Sequence, residues 1–352
     1  MSNQVLAQLK SLTGPVLITG HTGFKGCWVT LLLEKIGVEW VGISLPPKSD
    51  SLYNLISKNK YQKEYFGDIR DYNLIKKIVN EINPKYVIHL AAQSLVIDSY
   101  EIPKETFEVN IMGTANLLEI LIDSSLTRKI IVATTDKVYK ENNSKKAFKE
   151  FDALGGKDPY SWSKVGTEAT IGAWQQISSI KNGPSIVSVR AGNVVGGGDF
   201  SLNRLLPDLV KGFISNSHVI IRNRKSTRPW QHVLDPIYGY LLAGLDRTNE
   251  KAFNFSPRSR SLSVEVVTEI ARKSWVGPTY VTMNESENFL ETKSLALNSS
   301  LAKRKLKWKS FWTQEESIQS TINWWKSVSK NECTAREACM NDIEHLLGEI
   351  KK

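Results

Sequence analysis

The chain has 352 residues, 41% hydrophobic and 23% charged; that is longer than one compact core usually holds and close to globular averages, which excludes a mini-protein, a disordered chain and a fibre. Three cysteines, Cys27, Cys333 and Cys339, are too few for a disulfide framework; their odd number points to reduced thiols in a cytoplasm and to no zinc site. The 46 basic and 36 acidic residues leave a net charge of +10, but the lysines are dispersed without an arginine-rich block, so the excess reads as a solvated basic surface and identifies no nucleic-acid partner.

No apolar run approaches the roughly 20 residues a membrane span needs, and the polar start MSNQ lacks a signal-peptide core. The expectation is a cytoplasmic protein with no membrane partner. In chain order the pattern predicts strand PVLIT (15–19), a helix over 24–36, strand WVGISL (40–45), a helix over 72–82 and strand YVIHLAA (86–92). A helix over 104–124, strand KIIVAT (129–134), a helix over 160–180 and strand SIVSVR (185–190) follow. Such alternation marks βαβ units, so the first half reads as an α/β, doubly wound parallel sheet. After it the glycine-rich AGNVVGGGD breaks the pattern, and the elements become shorter and mixed: helix 203–215, strand HVIIR, helix 235–246 and strand AFNFS. This predicts a large domain over 1–190, a smaller mixed α/β lobe over 191–330 and a helical tail over 331–352. No Pro/Gly/Ser linker divides the lobes, so they are expected to share a cleft and to interleave. The tail NECTAREACMNDIEHLLGEIKK is amphipathic, which suits an oligomer contact or a simple surface helix equally.

The first strand runs directly into Thr19, Gly20, His21, Thr22, Gly23, Phe24, Lys25 and Gly26, and then into an apolar helix. Glycines at 20, 23 and 26 permit a tight turn, close approach of backbone to a pyrophosphate and close helix packing, as in a Rossmann dinucleotide site. At the end of the second strand, where NAD sites carry an acid, stands Ser44 with Lys48 nearby, which leaves NAD or NADP open. Asp68 and Ile69, in GDIRD, are placed to flank an adenine. Tyr160 and Lys164, four apart on one helical face, form a second candidate pair: an ammonium beside a phenol favours the phenolate and lowers its pKa from about 10. Tyr72/Lys76 and Tyr100/Lys104 share that spacing. Only Tyr160 follows a strand ending in Thr134, Thr135, Asp136 and Lys137, which puts hydroxyl, carboxyl and ammonium groups at a carboxyl end.

TGHTGFKG, GDIRD, HLAAQ, TTDKVY, LGGKDPYSWSK, VRAGNVVGGGD and RPWQHVLDP occur in the order and spacing of extended short-chain dehydrogenases/reductases, and the set most resembles the CDP-glucose 4,6-dehydratases, over roughly residues 14–328. The resemblance implies bound NAD, with NADP the variant, held by Gly20, Thr22, Gly23, Phe24, Gly26, Ser44, Asp68, Ile69, Ala91, Ala92, Tyr160 and Lys164. It implies a nucleotide sugar, CDP-glucose, whose diphosphate meets Asn193, Arg204 and Arg228, and a homodimer, commonly built through two helices per subunit, or a higher homo-oligomer. It also implies a redox-neutral dehydration. Tyr160, held ionised by Lys164, takes the C4 hydroxyl proton while hydride leaves C4, and Thr135 hydrogen-bonds that hydroxyl. Asp136 then protonates the departing C6 hydroxyl, and hydride returns to C6. Lys137 stands where dTDP-glucose dehydratases carry the glutamate base for C5, and is either that base or an enolate counter-charge. Asn110 resembles the helix asparagine that orders the catalytic lysine, whereas His89 and His232 read as packing residues.

Two departures touch ligand recognition. Ile97 replaces an arginine in QSLVIDSY, and SLPPKSD is altered and shortened at the ribose turn. Rival readings are a nucleotide-sugar 4-epimerase or 4-ketoreductase, which need Tyr160, Lys164 and cofactor but not the 136/137 pair, and a non-catalytic dinucleotide or RNA-binding member.

Overall fold

The computed structural model describes residues 9, 12, 14–56, 63–141, 146–258, 261–284 and 296–352. The first half contains β1 (Val16–Thr19), α1 (Phe24–Ile36), β2 (Trp40–Ser44), α2 (Leu52–Leu55), β3 (Lys63–Phe66), α3 (Tyr72–Ile82) and β4 (Tyr86–His89). It continues through α4 (Val96–Glu101), α5 (Pro103–Phe107), a π-helical turn (Glu108–Met112), α6 (Gly113–Ile122), β5 (Lys129–Ala133), a 3₁₀ turn (Asp136–Val138), α7 (Pro159–Lys181) and β6 (Ser185–Ala191). Beyond these lie β7 (Val194–Val195), α8 (Leu205–Ser215), β8 (Val219–Arg222), β9 (Thr227–Arg228), β10 (Gln231–His232), α9 (Leu234–Leu245) and β11 (Ala252–Phe255). The chain ends with β12 (Leu262–Ser263), α10 (Val264–Ser274), β13 (Val281–Asn284), α11 (Ser300–Leu306), α12 (Gln314–Ser329) and α13 (Ala335–Lys351).

Seven strands form one parallel sheet in the order β11-β6-β5-β4-β1-β2-β3. Apart from the edge strand β3, which is exposed or half-buried, its strands are buried on both faces, which explains why they read as continuous apolar runs rather than alternating ones. Along β1, Leu17 joins one core with Val87, Ile130 and Ile186, while Val16 and Ile18 join the other with Ile88, Ile131 and Val187. Strand order reverses between β1 and β4, and ligands in doubly wound sheets bind in the crevice outside the strand ends at such a point. The edge strand β11 comes from beyond residue 250, so the chain crosses out at 191 and returns to the large sheet before building the rest of the lobe. The C-terminal helix α13 buries Ile343, Leu346, Leu347 and Ile350 in the same core as α1, and Arg336 clasps Glu34 at 2.6 Å across that seam. Among the described residues no helix is long and apolar enough to cross a membrane.

The helix expected over 104–124 is three pieces, with α4 before it. Pro103 starts α5, where its missing N–H costs no intrahelical bond. The π turn at 108–112 then releases the Asn110 carbonyl, which accepts from the hydroxyls of Thr114 at 2.7 Å and Thr167 at 2.9 Å. Such turns recur at functional sites. The fourth strand stops at His89, three residues short of the apolar run, because Leu90 and Ala91 turn over β1 and donate their N–H groups to Thr19.

Candidate active site

The carboxyl ends of β1, β4 and β5 and the start of α7 converge on one cleft. Gly20 takes φ +77°, and a Cβ there would sit 2.8 Å from Ala91 N; a Cβ on Gly26 would sit 2.2 Å from Gly20 O. Only glycine permits both the left-handed turn and this contact between helix and strand. Gly23 caps α1 without any side-chain cap, and no acidic residue lies in the first turn. Uncapped N–H groups at the positive end of a 13-residue helix with an open glycine face fit a dinucleotide pyrophosphate.

The other residues expected at the cofactor flank this turn. The Thr22 hydroxyl lies 2.7 Å from that of Ser44, and Thr22 also donates to Leu45 O at 3.1 Å. Ser44 is therefore tied to the glycine turn itself. The Asp68 carboxylate is engaged by the Arg70 guanidinium at 2.6–3.0 Å, which holds its pKa below the usual range. Ile69 is buried against Gly113. Phe24, Ala91 and Ala92 are partly buried around the same crevice.

Sequence chemistry explains where α7 starts. In KDPYSWSK, Asp158 accepts from Ser161 N at 2.7 Å while Ser161 Oγ accepts from Asp158 N at 2.9 Å, a capping box with Pro159 in the first turn. Tyr160 N donates to Ser99 Oγ at 3.1 Å, Asn110 Nδ2 donates to Ser163 Oγ at 2.8 Å, and Ser163 Oγ donates to Tyr160 O at 2.7 Å. The first turn of α7 is thus bolted to α4 and to the π turn. Tyr160 and Lys164 then face the end of β5, both buried.

The electrostatics differ from the expectation drawn from spacing. Burial pushes the Tyr160 phenol up to about 12, opposed chiefly by a hydrogen bond with Thr135 and by Arg204. Lys164 is not what acts on the phenol here. Its Nζ donates to Ala133 O at 3.4 Å, and burial draws it down to about 8, helped by Lys25 and opposed by Glu168. The expected lowering of Tyr160 by Lys164 is therefore reversed, because desolvation of a phenolate outweighs a helical neighbour.

Thr135 caps the 3₁₀ turn, accepting from Lys137 N at 3.3 Å and donating to Asp136 Oδ1 at 3.0 Å. Asp136 is 2% exposed, and its Oδ2 has no hydrogen-bond partner among the described residues. Burial raises its pKa, against Lys137, Thr135, Arg228 and Lys25, in that order. A carboxyl with one oxygen free and its proton affinity raised suits a general acid. Lys137 is partly buried beside it.

Arg204 caps α8 and pairs with Asp199 at 3.1 Å; Arg228 is buried in β9. Their charges reach Tyr160 and Asp136 respectively. A Cβ on Gly192 would lie 3.1 Å from Asp136 Oδ2, so the segment carrying Asn193 abuts the same carboxyl. His89 is held between Thr19 at 2.6 Å and Thr114 at 3.0 Å, and burial lowers its pKa to about 3, which suits a neutral packing residue. His232 is buried, 3.2 Å from Asp342 and stacked on Trp312.

Three residues at the site were not singled out by sequence. Lys25, inside the glycine turn, carries its ammonium 6.0 Å from the Tyr240 ring, and burial lowers it to about 8 with Arg204 adding to the effect. The Tyr240 hydroxyl is buried without a hydrogen-bond partner among the described residues. Glu168, one turn beyond Lys164, forms a buried pair with Arg190 of β6 and accepts from Thr134 at 2.5 Å and Ser188 at 2.6 Å. Its four-residue step from Lys164 was the available signal; the apolar helix around Tyr240 offered none.

Comparison with known proteins places this geometry. The model of the family described as GDP-mannose 4,6 dehydratase matches residues 17–321. The chain belongs to that family. It is 35% identical over 338 residues to the CDP-glucose 4,6-dehydratase of Salmonella typhimurium, covering 92% of this chain and 94% of that protein. A UDP-glucose 4-epimerase of Mycoplasma genitalium matches at 26% identity over 64% of this chain and 68% of its own. Among solved structures, DesIV, a dTDP-glucose 4,6-dehydratase from Streptomyces venezuelae with NAD and TYD bound, superposes with a TM-score of 0.77 at 20% identity, covering 89% of this chain and 97% of that one. The epimerase Mth375 of Methanothermobacter thermautotrophicus reaches 0.84 at 22% identity, covering 93% and 97%. These structural neighbours share the overall fold described above.

Proposed function

We propose that the protein is a nucleotide-sugar 4,6-dehydratase acting on CDP-glucose with NAD, forming CDP-4-keto-6-deoxyglucose. The observation that carries this reading is the placing of Asp136 and Lys137 beside Thr135, Tyr160 and Lys164, because epimerases and ketoreductases have no use for an acid and a cation at C5 and C6. The 35% identity to a CDP-glucose 4,6-dehydratase over 92% of the chain supports it. NAD bound at the glycine turn supplies a reversible hydride acceptor at C4 and donor at C6. Gly20, Gly23 and Gly26 hold its pyrophosphate, with Thr22, Phe24, Ser44, Asp68, Ile69, Ala91 and Ala92 around the rest. Asn193, Arg204 and Arg228 hold the sugar's diphosphate, where guanidinium forks suit phosphate oxygens.

Tyr160 removes the C4 hydroxyl proton with Thr135 aligning that hydroxyl, and Thr135 together with the charge of Arg204 offsets part of the cost of a buried phenolate. The 4-ketone acidifies the C5 hydrogen, which Lys137 takes as base or balances as counter-charge to the enolate. Asp136 protonates the C6 hydroxyl as it leaves. Incubation with CDP-, dTDP-, UDP- and GDP-glucose should yield a product lighter by one water from CDP-glucose above the rest; an unchanged mass with sugar inversion would favour an epimerase. Asp136→Asn should still oxidise C4 yet slow water loss by about 10²–10⁴-fold, so that reduced cofactor accumulates by absorbance. Unchanged turnover would remove Asp136 from the acid's role.

The quaternary reading is a homodimer. Ile97, Tyr100, Ile102, Phe107 and Met112, together with Trp162 of α7, leave large apolar side chains exposed on neighbouring helices. Exposed apolar side chains gathered on neighbouring helices mark an interaction site, and a second copy presenting the same face buries them isologously. Trp162→Glu is expected to yield monomers by sedimentation; an unshifted sedimentation coefficient would place the contact elsewhere.

A further inference from the structure

The groups proposed to act on the sugar stand on two separate stretches of chain: Tyr160 and Lys164 on α7, and Thr135, Asp136 and Lys137 at the turn after β5. The bonds that join Thr135 to Asp136 and to Lys137 N lie within that turn and cannot set it against the helix. The residues on either side of the turn can. Thr134, just before it, donates to Glu168 Oε1 at 2.5 Å, and Tyr139, just after it, accepts from Arg190 Nη1 at 2.7 Å. Glu168 and Arg190 are joined to each other by two bonds of 2.8 Å. One ion pair therefore grips both ends of the stretch 135–138.

Glu168 lies on α7 itself, one helical turn beyond Lys164, so the same pair ties the turn to the helix that carries the other half of the site. Thr134, Tyr139, Glu168 and Arg190 are all buried. Arg190 commits Nε and Nη2 to Glu168, and Nη1 to Tyr139 and to Glu150 O at 2.9 Å. A planar fork with fixed N–H directions can serve a carboxylate and a phenol at once, whereas an ammonium is a point charge on a flexible stem. Tyr139 donates onward to Asn254 Oδ1 at 2.8 Å, and its ring stacks on Phe148 with centroids 4.9 Å apart. A buried ion pair returns little net stability for its desolvation, but bonds from it to both sides of a turn fix a geometry.

We propose that Glu168 and Arg190 are positioning residues that hold Thr135, Asp136 and Lys137 at the working distance from Tyr160 and Lys164, each end of the clamp serving a different half of the reaction. The inference rests on the dehydratase reading. Thr134 adjoins Thr135, which aligns the C4 hydroxyl, so this end serves oxidation at C4. Tyr139 follows Asp136 and Lys137, so the other end serves loss of the C5 proton and the C6 hydroxyl. Both members of the pair are enclosed by protein and act through the turn.

Tyr139→Phe keeps the stacked ring and releases only the far end of the turn. With CDP-glucose in excess it should slow water loss about 10- to 100-fold, the scale of a small misplacement of acting groups, while C4 oxidation continues, so that reduced cofactor accumulates by absorbance. Thr134→Val releases the near end and should slow C4 oxidation itself, with no reduced cofactor accumulating. Arg190→Lys keeps a positive charge for Glu168 but gives up the fork, and should accumulate reduced cofactor as Tyr139→Phe does. In the double variant the two losses should not add, because both remove the same link. Rates are taken per site that binds NAD, so a merely structural role would leave the rate per site unchanged and show no reduced cofactor. That result in both Tyr139→Phe and Thr134→Val would overturn the clamp while leaving the dehydratase reading intact. A wild-type protein that removes water from none of the four nucleotide sugars would overturn that reading and the clamp with it. Should the Arg190→Lys chain fail to fold, Tyr139→Phe and Thr134→Val still make the comparison.

Discussion

Tyr160→Phe is expected to lower turnover by about 10²–10⁴-fold, the usual contribution of a positioned proton acceptor, while the chain keeps its fold and its cofactor. Phenylalanine keeps the ring that packs at the head of α7 and removes only Oη, whose hydrogen bond is to Thr135. Loss of one such bond costs about 1 kcal/mol, so the thermal midpoint should move by only a few degrees. The backbone anchors of that turn do not involve the hydroxyl: Ser99 holds Tyr160 N and Ser163 holds Tyr160 O. Titration of NAD into the variant should give an affinity close to the wild type's. Turnover within a few-fold of wild type would discard the phenol as the base.

Arg190→Met is expected to be the largest loss of stability, about 3–5 kcal/mol, the range for removing one partner of a buried ion pair. Arg190 and Glu168 have side chains 6% and 4% exposed, joined by two bonds of 2.8 Å. Arg190 also donates to Tyr139 Oη at 2.7 Å and to Glu150 O at 2.9 Å, and Tyr139 donates to Asn254 Oδ1 at 2.8 Å. The substitution therefore strands Glu168 as an uncompensated carboxylate and loosens the seam between α7, β6 and β11. The loss should depend on pH. In the wild type, burial opposes Glu168's charge but hydrogen bonds and charge from Arg190 hold its pKa below 4.5. Its contribution is thus present above 4.5 and lost as pH falls through the depressed value. Without Arg190, burial dominates and raises that pKa, so the variant loses stability as pH rises through 4.5. The difference in urea midpoints should be widest at neutral pH and shrink on acidification. A deficit under about 1 kcal/mol at neutral pH would show that water or another donor takes the arginine's place.

Local signals in the sequence were strong wherever the structure is local. KDPYSWSK places the cap and start of α7 because Asp158, Pro159 and Ser161 each act within one helical turn. The runs of β1, β4, β5 and β6 are legible because parallel strands covered on both faces must be apolar throughout. The glycine spacing at 20, 23 and 26 is legible because a Cβ at 20 or 26 would overlap the backbone. Less legible was the break at the π turn, where the freed Asn110 carbonyl is satisfied by Thr167, 57 residues away. Nothing in the pattern around 252–255 marked it as the edge of the large sheet, since its partner β6 lies more than 60 residues earlier.

By itself the sequence determined the parallel α/β sheet, the glycine turn, the start of α7 and the residue types gathered at the end of β5, because each depends on periodicity, capping or spacing within a short stretch. Only the tertiary structure decided how those groups hold protons. Burial raises the Tyr160 phenol to about 12 and draws Lys164 to about 8, reversing what a four-residue spacing implies, because desolvation depends on everything packed around a charge. The same packing sets Thr135 between a phenol and a carboxyl and leaves one oxygen of Asp136 unpartnered among the described residues.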